Sequence, residues 1–196
     1  MSTTNYKKHS SPNPIQKKLI DNFYSTVIKI LRPLEVDSIL DVGCGEGFTL
    51  DKFKKEGIGK KLSGIDYSDD ALELGAKIYP DLDLKKGDIY DIKAKENSFD
   101  LVMATEVLEH LDDPNKALKE LIRVSRKYIM LSVPNEPFFI GANFLRGKYL
   151  KSFGNHPEHI NHWTFIGFEK FLKKNGLKIV ESKHPFAWTL ILAEKK

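Results

Sequence analysis

The sequence predicts an α/β fold, a mostly parallel β-sheet with helices on both faces and an antiparallel last strand. Three observations predict it. Seven strand-like runs alternate with helical patterns along most of the chain, which is the signature of a parallel sheet covered on both sides. The first run, Ser38-Ile39-Leu40-Asp41-Val42, passes into Gly43-Cys44-Gly45-Glu46-Gly47-Phe48, a turn whose glycines let the backbone approach a ligand closely. Asp41, Asp66 and Asp88 close three successive strand patterns, so that three acids share one rim of the sheet.

The first dozen residues are rich in Ser, Thr, Asn and Pro and are expected to be mobile until something orders them. Asn13-Pro14 starts a helix, a capping side chain followed by proline in the first turn. Ile15, Leu19, Ile20, Phe23, Val27, Ile28 and Leu31 then recur at helical spacing up to Pro33. After the glycine turn, Phe48, Leu50 and Phe53 mark a short helix stopped by Gly57 and Gly59, and its first amides point at whatever the turn holds. Leu62 to Asp66 is the second strand, and Ser68-Asp69-Asp70 caps a helix running through Ala71, Leu72, Leu74 and Ile78. Leu82 to Asp88 is a less apolar third strand, nearer the sheet edge.

Phe99 to Thr105 and Tyr128 to Val133 are the fourth and fifth strands, separated by a helix over Pro114 to Ser125. From Glu136 to Trp163 the alternation breaks into aromatics, glycines and histidines, an insertion too long for a simple connection and of the kind that carries function. Thr164 caps a last helix over Phe165 to Asn175, and Leu177 to Ser182 and Trp188 to Ala193 are close enough to form an antiparallel hairpin.

A chain of 196 residues is long enough for one domain with an appendage. Residues 1–35 form the N-terminal tail and helix, and residues 36–196 the domain, with its insertion at about 136–164. The net charge of +4, with 30% charged residues spread along the chain, neither demands nor excludes a nucleic-acid partner. Cys44 is the single cysteine, which excludes an internal disulfide and a thiolate-rich metal site; in the glycine turn it reads as a small filler. The polar N-terminus lacks the apolar core of a signal peptide, and no apolar run approaches the roughly 20 residues of a membrane span. A cytoplasmic protein with no membrane partner is expected.

The stretch Asp41 to Gly47 resembles motif I of the class I S-adenosylmethionine-dependent methyltransferases. A dinucleotide loop has its third glycine one residue later, where this chain has Phe48. The resemblance continues through Asp66, through Gly87-Asp88-Ile89, through Ala104 to Pro114 after the fourth strand and through Ser132-Val133-Pro134-Asn135 after the fifth. It implies a seven-stranded Rossmann-like sheet, S-adenosyl-L-methionine as cofactor with S-adenosyl-L-homocysteine as product, and methyl transfer to oxygen or nitrogen. By the same resemblance Asp41, Gly43, Gly45 and Gly47 face the amino-acid end of the cofactor, Asp66 the ribose hydroxyls and Asp88 the adenine amine. Tyr67 and Ile89 sandwich the adenine, Glu106 lies near the reacting sulfonium, and the helix before the first strand covers the cleft as part of a lid.

A small-molecule acceptor is expected in preference to a nucleic acid, on a monomer or homodimer. Glu106, His110 and His159 are the catalytic candidates, with His156 and His162 as further bases at the mouth of the cleft. Glu106, Glu109 and His110, three and four apart, share one face if their segment is helical, and with His159 would make a four-ligand site for Mg²⁺, Mn²⁺ or Zn²⁺. That set resembles the metal site of the small-RNA 3′-terminal 2′-O-methyltransferases, and a similar Glu-x-x-Glu-His occurs in quinone-biosynthesis O-methyltransferases. The same residues also serve as a packing signature of this fold without a metal, which is the reading adopted. The alternatives are a metal-assisted RNA 2′-O-methyltransferase, a non-catalytic cofactor-binding regulatory protein, and an NAD-dependent oxidoreductase, the last disfavoured by Phe48 and Asp88. Phe138, Phe139, Phe144, Tyr149 and Phe153 either line an acceptor pocket or pack the insertion onto the domain.

Overall fold

A computed structural model describes residues 3–136 and 159–195. Phe138, Phe139, Phe144, Tyr149, Phe153 and His156 of the insertion lie outside the described residues. Seven strands form one sheet: β1 (Ser38–Val42), β2 (Lys61–Asp66), β3 (Asp83–Lys86), β4 (Phe99–Thr105), β5 (Ser125–Pro134), β6 (Leu177–Lys183) and β7 (Trp188–Lys195). Their order is β3-β2-β1-β4-β5-β7-β6. All neighbouring pairs up to β5 are parallel, and β7 runs antiparallel between β5 and β6. The strand order reverses between β1 and β4, which opens a crevice at the carboxyl ends of the strands. Because β7 runs the other way, its first residue, Trp188, pairs with the last of β5, Pro134, and arrives at the same rim.

The helices are α1 (Thr4–His9), α2 (Pro14–Leu31), α3 (Phe48–Glu56), α4 (Asp69–Ile78), α5 (Pro114–Val124) and α6 (Phe165–Lys174). Their starts follow the capping chemistry of the sequence: Asn13 accepts from the N–H groups of Ile15 and Gln16, Ser68 from Ala71, and Thr164 from Gly167. The alternation of the strands divides the core. Leu40, Val42, Val102, Ala104, Ile129 and Leu131 face α5 and α6, while Ile39, Leu101, Met103 and Met130 face α2 and α3.

Three local expectations are corrected. Residues 4–9 form a helix, because contacts distant in sequence order them: the Thr3 hydroxyl and the Asn5 amide donate to the Glu46 carboxylate, and His9 stacks on Phe48 at 4.2 Å. The third strand stops at Lys86, and Asp88 sits just beyond it in a tight turn, its carboxylate accepting from the N–H of Tyr90 at 2.8 Å. The segment after β4 is not an α-helix. Glu106 has φ +60° and its N–H still bonds to Ser132 O, so only Leu108–His110 coil, as one 3₁₀ turn.

Candidate active site

The crevice holds two adjoining cavities of about 480 and 640 Å³. Asp41, Gly43, Gly45, Asp66, Glu106, Glu109, His110 and His159 line the first. Tyr67, Asp88 and Ile89 line the second, and Gly43, Asp66, Glu106 and His110 belong to both. Of the described candidates from sequence, His162 lines neither, and nor does Gly47. Gly47 is the left-handed residue that turns the chain into α3, packed on Leu82 and Leu84.

The glycine turn is held by main-chain bonds. The N–H groups of Gly43 and Cys44 both donate to Ile65 O, at 2.8 and 3.1 Å. Gly43 has φ +78°, and a Cβ there would lie 2.5 Å from Val107 Cγ2, so the position excludes side chains on two counts. Asp66 fastens the next residue: its carboxylate accepts the Gly45 N–H at 2.7 Å and the Ser68 N–H at 2.8 Å. Each of its oxygens keeps a second lone pair for a ligand. Asp41, at the end of β1, is 1% exposed and its Oδ1 has no hydrogen-bond partner. Burial, and then the charge of Asp66, push its carboxyl up to about 7. Burial also drives the Cys44 thiol far up, which fits a filler and not a nucleophile.

The other end of the first cavity draws on distant segments. Glu106 accepts a 2.6 Å hydrogen bond from Trp188 Nε1 on Oε2, and its Oε1 is buried without a partner. Glu109 is 1% exposed with both oxygens unpartnered. Burial raises both carboxyl pKa values, Glu109 more strongly because the Glu106 charge adds to the burial. The turn carrying Glu109 is clamped by residues 160 and 161: the N–H groups of Ile160 and Asn161 donate to Glu109 O, and the Asn161 amide donates to Leu108 O and Leu111 O. His159 Nδ1 lies 3.0 Å from Glu136 Oε1, and His162 Nδ1 3.3 Å from the same oxygen.

A model of a methyltransferase domain matches residues 40–128. Over these residues the chain is similar to S-adenosylmethionine-dependent methyltransferases. A ubiquinone biosynthesis O-methyltransferase of Candida albicans is 34% identical over 125 residues, 56% of this chain and 38% of that protein. One from Coxiella burnetii is 24% identical over 193 residues, 89% of this chain and 77% of that protein. This chain spans less than two fifths of the length of the Candida protein and of several other curated relatives. A solved S-adenosylmethionine-dependent methyltransferase of Aquifex aeolicus superposes with a TM-score of 0.71 at 16% identity, covering 100% of both chains. At that identity the likeness is one of fold.

The chain assembles its predicted residues unevenly. Each of Glu109, His110 and His159 offers one ligand atom within 4.8 Å of the others, whereas Glu106 stays outside that group and turns to Trp188. The four-ligand arrangement therefore reduces to one carboxylate and two imidazoles among the described residues. Lys8, Glu46, Glu136 and Trp188 carried no local sequence signal, since each enters the site through a partner far along the chain.

Proposed function

We propose that the chain transfers a methyl group from S-adenosyl-L-methionine to an oxygen or nitrogen of a small-molecule acceptor. The observation that carries this reading is the continuity of the two cavities across Gly43, Asp66, Glu106 and His110, with acids at the ends of β1, β2 and β4 and just beyond β3. When bound, the cofactor supplies a methyl group activated on a sulfonium. Asp41 and the close-approaching backbone of Gly43 and Gly45, which carry no side chain, hold its amino-acid end, the spare lone pairs of Asp66 accept the ribose hydroxyls, and Asp88 accepts the adenine amine. Tyr67 and Ile89 cover the two faces of the adenine, and Glu106 lies beside the reacting centre. Lining up acceptor and donor can contribute roughly 7–11 kcal/mol. His110 and His159, both on the wall of the first cavity, are placed to take a proton from the acceptor. Residues 1–35 act as the roof over a domain of residues 36–196.

The test is calorimetry with S-adenosylhomocysteine and with NAD, followed by a screen of acceptors with labelled methyl donor. Binding of the first and not the second, and label in a small acceptor, is the expected result. Binding without transfer to any acceptor would leave a regulatory cofactor-binding protein.

The second reading is metal-assisted transfer, including to an RNA 2′-hydroxyl, and it draws on the group Glu109, His110 and His159. One carboxylate and two imidazoles suit Zn²⁺ or Mn²⁺ better than Mg²⁺. Chelation followed by add-back of each ion decides it: activity indifferent to all three returns these residues to a metal-free role.

A further inference from the structure

Two acidic groups of the first cavity leave oxygens without partners, and a cation from another part of the chain reaches toward them. Both oxygens of Glu109 and Oε1 of Glu106 are buried and accept no hydrogen bond. A buried carboxylate pair is strongly unfavourable unless a cation or proton joins it. Lys8 on α1 lines the same cavity, with its ammonium 5.4 Å above the centroid of the Trp188 ring. Its charge pulls on both Glu106 and Glu109. Trp188 in turn donates its Nε1–H to Glu106. An indole face edged by carboxylates is the side-chain arrangement best suited to an organic cation.

We infer that this corner is the acceptor subsite for an organic ammonium, and that Lys8 occupies it as a tethered stand-in when no acceptor is bound. The inference rests on the methyl-transfer reading and narrows its acceptor to an amine. Lys8 is carried by a six-residue helix fastened by other residues, Thr3 and Asn5 on Glu46 and His9 on Phe48, and at its own main chain by the Gln16 amide on Lys8 O, so its side chain can yield without disturbing the sheet. Ile20 and Phe23 of α2 line the same cavity and suit an apolar body behind the charged head. The ammonium of the acceptor releases one proton to water. The freed lone pair forms the N–C bond as the donor's C–S bond breaks, and the electron pair stays on sulfur. A neutral amine and a sulfonium thus become a methylated ammonium and a thioether, and the product remains a cation.

The experiment measures binding of 2-phenylethylammonium, 2-phenylethanol and phenylacetate to the full chain, with and without saturating S-adenosylhomocysteine. The ammonium is expected to bind about tenfold more tightly than either isostere, a difference within the range of a desolvated cation on an indole face. Lys8→Met, which keeps the stem and removes the charge, should tighten ammonium binding several-fold, whereas a purely structural Lys8 would give weaker binding. Trp188→Leu should weaken it and leave S-adenosylhomocysteine affinity unchanged. Equal binding of the three probes, preference for the carboxylate, or weaker ammonium binding in Lys8→Met overturns the inference. So does stoichiometric Mn²⁺ or Mg²⁺ that is lost in Glu109→Gln and abolishes ammonium binding. Failure of S-adenosylhomocysteine to bind at all strikes the methyl-transfer reading instead, and the wild-type comparison without it still reports on the ammonium.

Discussion

The two ends of the first cavity are built by opposite means. From Asp41 to Gly47 a single uninterrupted stretch supplies nearly everything, through left-handed glycines and the Asp41 carboxylate, with the Gly45 N–H fastened to Asp66. At the other end, Lys8, Glu106 with Glu109, His159 and Trp188 come from four separate segments and present side chains to the cavity. A backbone cradle suits a ligand that never changes, because the main chain of the turn is already fixed and has no rotamer freedom to lose. Side chains brought together from distant elements can be exchanged singly without refolding the sheet, which suits the partner that differs between relatives.

The contrast can be broken in order of expected effect. Gly43→Val should do the most damage: a β-branched residue at φ +78° costs about 1–3 kcal/mol in backbone strain, before the contact with Val107 is counted. Chemical denaturation and S-adenosylhomocysteine calorimetry should both show it, and a stable variant that still binds would mean that the backbone cradle is dispensable. Asp66→Ala removes the acceptor of the Gly45 and Ser68 N–H groups together with the proposed ribose contacts. Affinity for S-adenosylhomocysteine should fall by about 1.5–3 kcal/mol, as for hydrogen bonds to a charged group, and unchanged affinity would sink the assignment.

Trp188→Phe keeps an aromatic ring and loses the hydrogen bond to Glu106. Turnover should fall about tenfold, the lower range for a bond to a carboxylate, with S-adenosylhomocysteine affinity intact. If both fall together, the two ends are not separable.

The smallest effect is one of pH. The Asp41 carboxyl is pushed up to about 7, so the free folded protein holds a proton there in acid. A cationic amino group on the ligand favours the ionised form, so binding releases that proton below neutrality. Affinity should therefore rise by less than about tenfold between pH 6 and 8 and level off above, with proton release seen as a buffer-dependent heat. The stability of the unliganded protein runs the other way. With the folded-state pKa above the unfolded one, the contribution of Asp41 is greatest in acid and is lost as pH rises from the ordinary carboxylate range to about 7. An affinity flat across this window would remove Asp41 from the cofactor site.

Much of the fold was legible from short windows of sequence. The caps at Asn13, Ser68 and Thr164, the stop at Gly57 and the run Phe99 to Thr105 each depend on neighbours within one or two turns, and the structure reproduces them. The hairpin of β6 and β7 was readable from their closeness in sequence. The segment after β4 was not, because a helical spacing at Glu106, Glu109 and His110 says nothing of the bond from Glu106 N to Ser132 O that holds the first of them in the sheet's ladder. The order in residues 4–9 was equally invisible, since it depends on Glu46 and Phe48 about forty residues away.

By itself the sequence determined the alternating α/β pattern, the glycine turn and the acids at the rim, because periodicity, capping and positive φ are local properties of the chain. Only the tertiary structure decided what the acids face. The reversed direction of β7 sets Trp188 on Glu106, and the docking of α1 brings Lys8 over Trp188. Those contacts span most of the chain, and no short-range pattern records them, because strand order and direction are set by burial of the whole sheet between its helices.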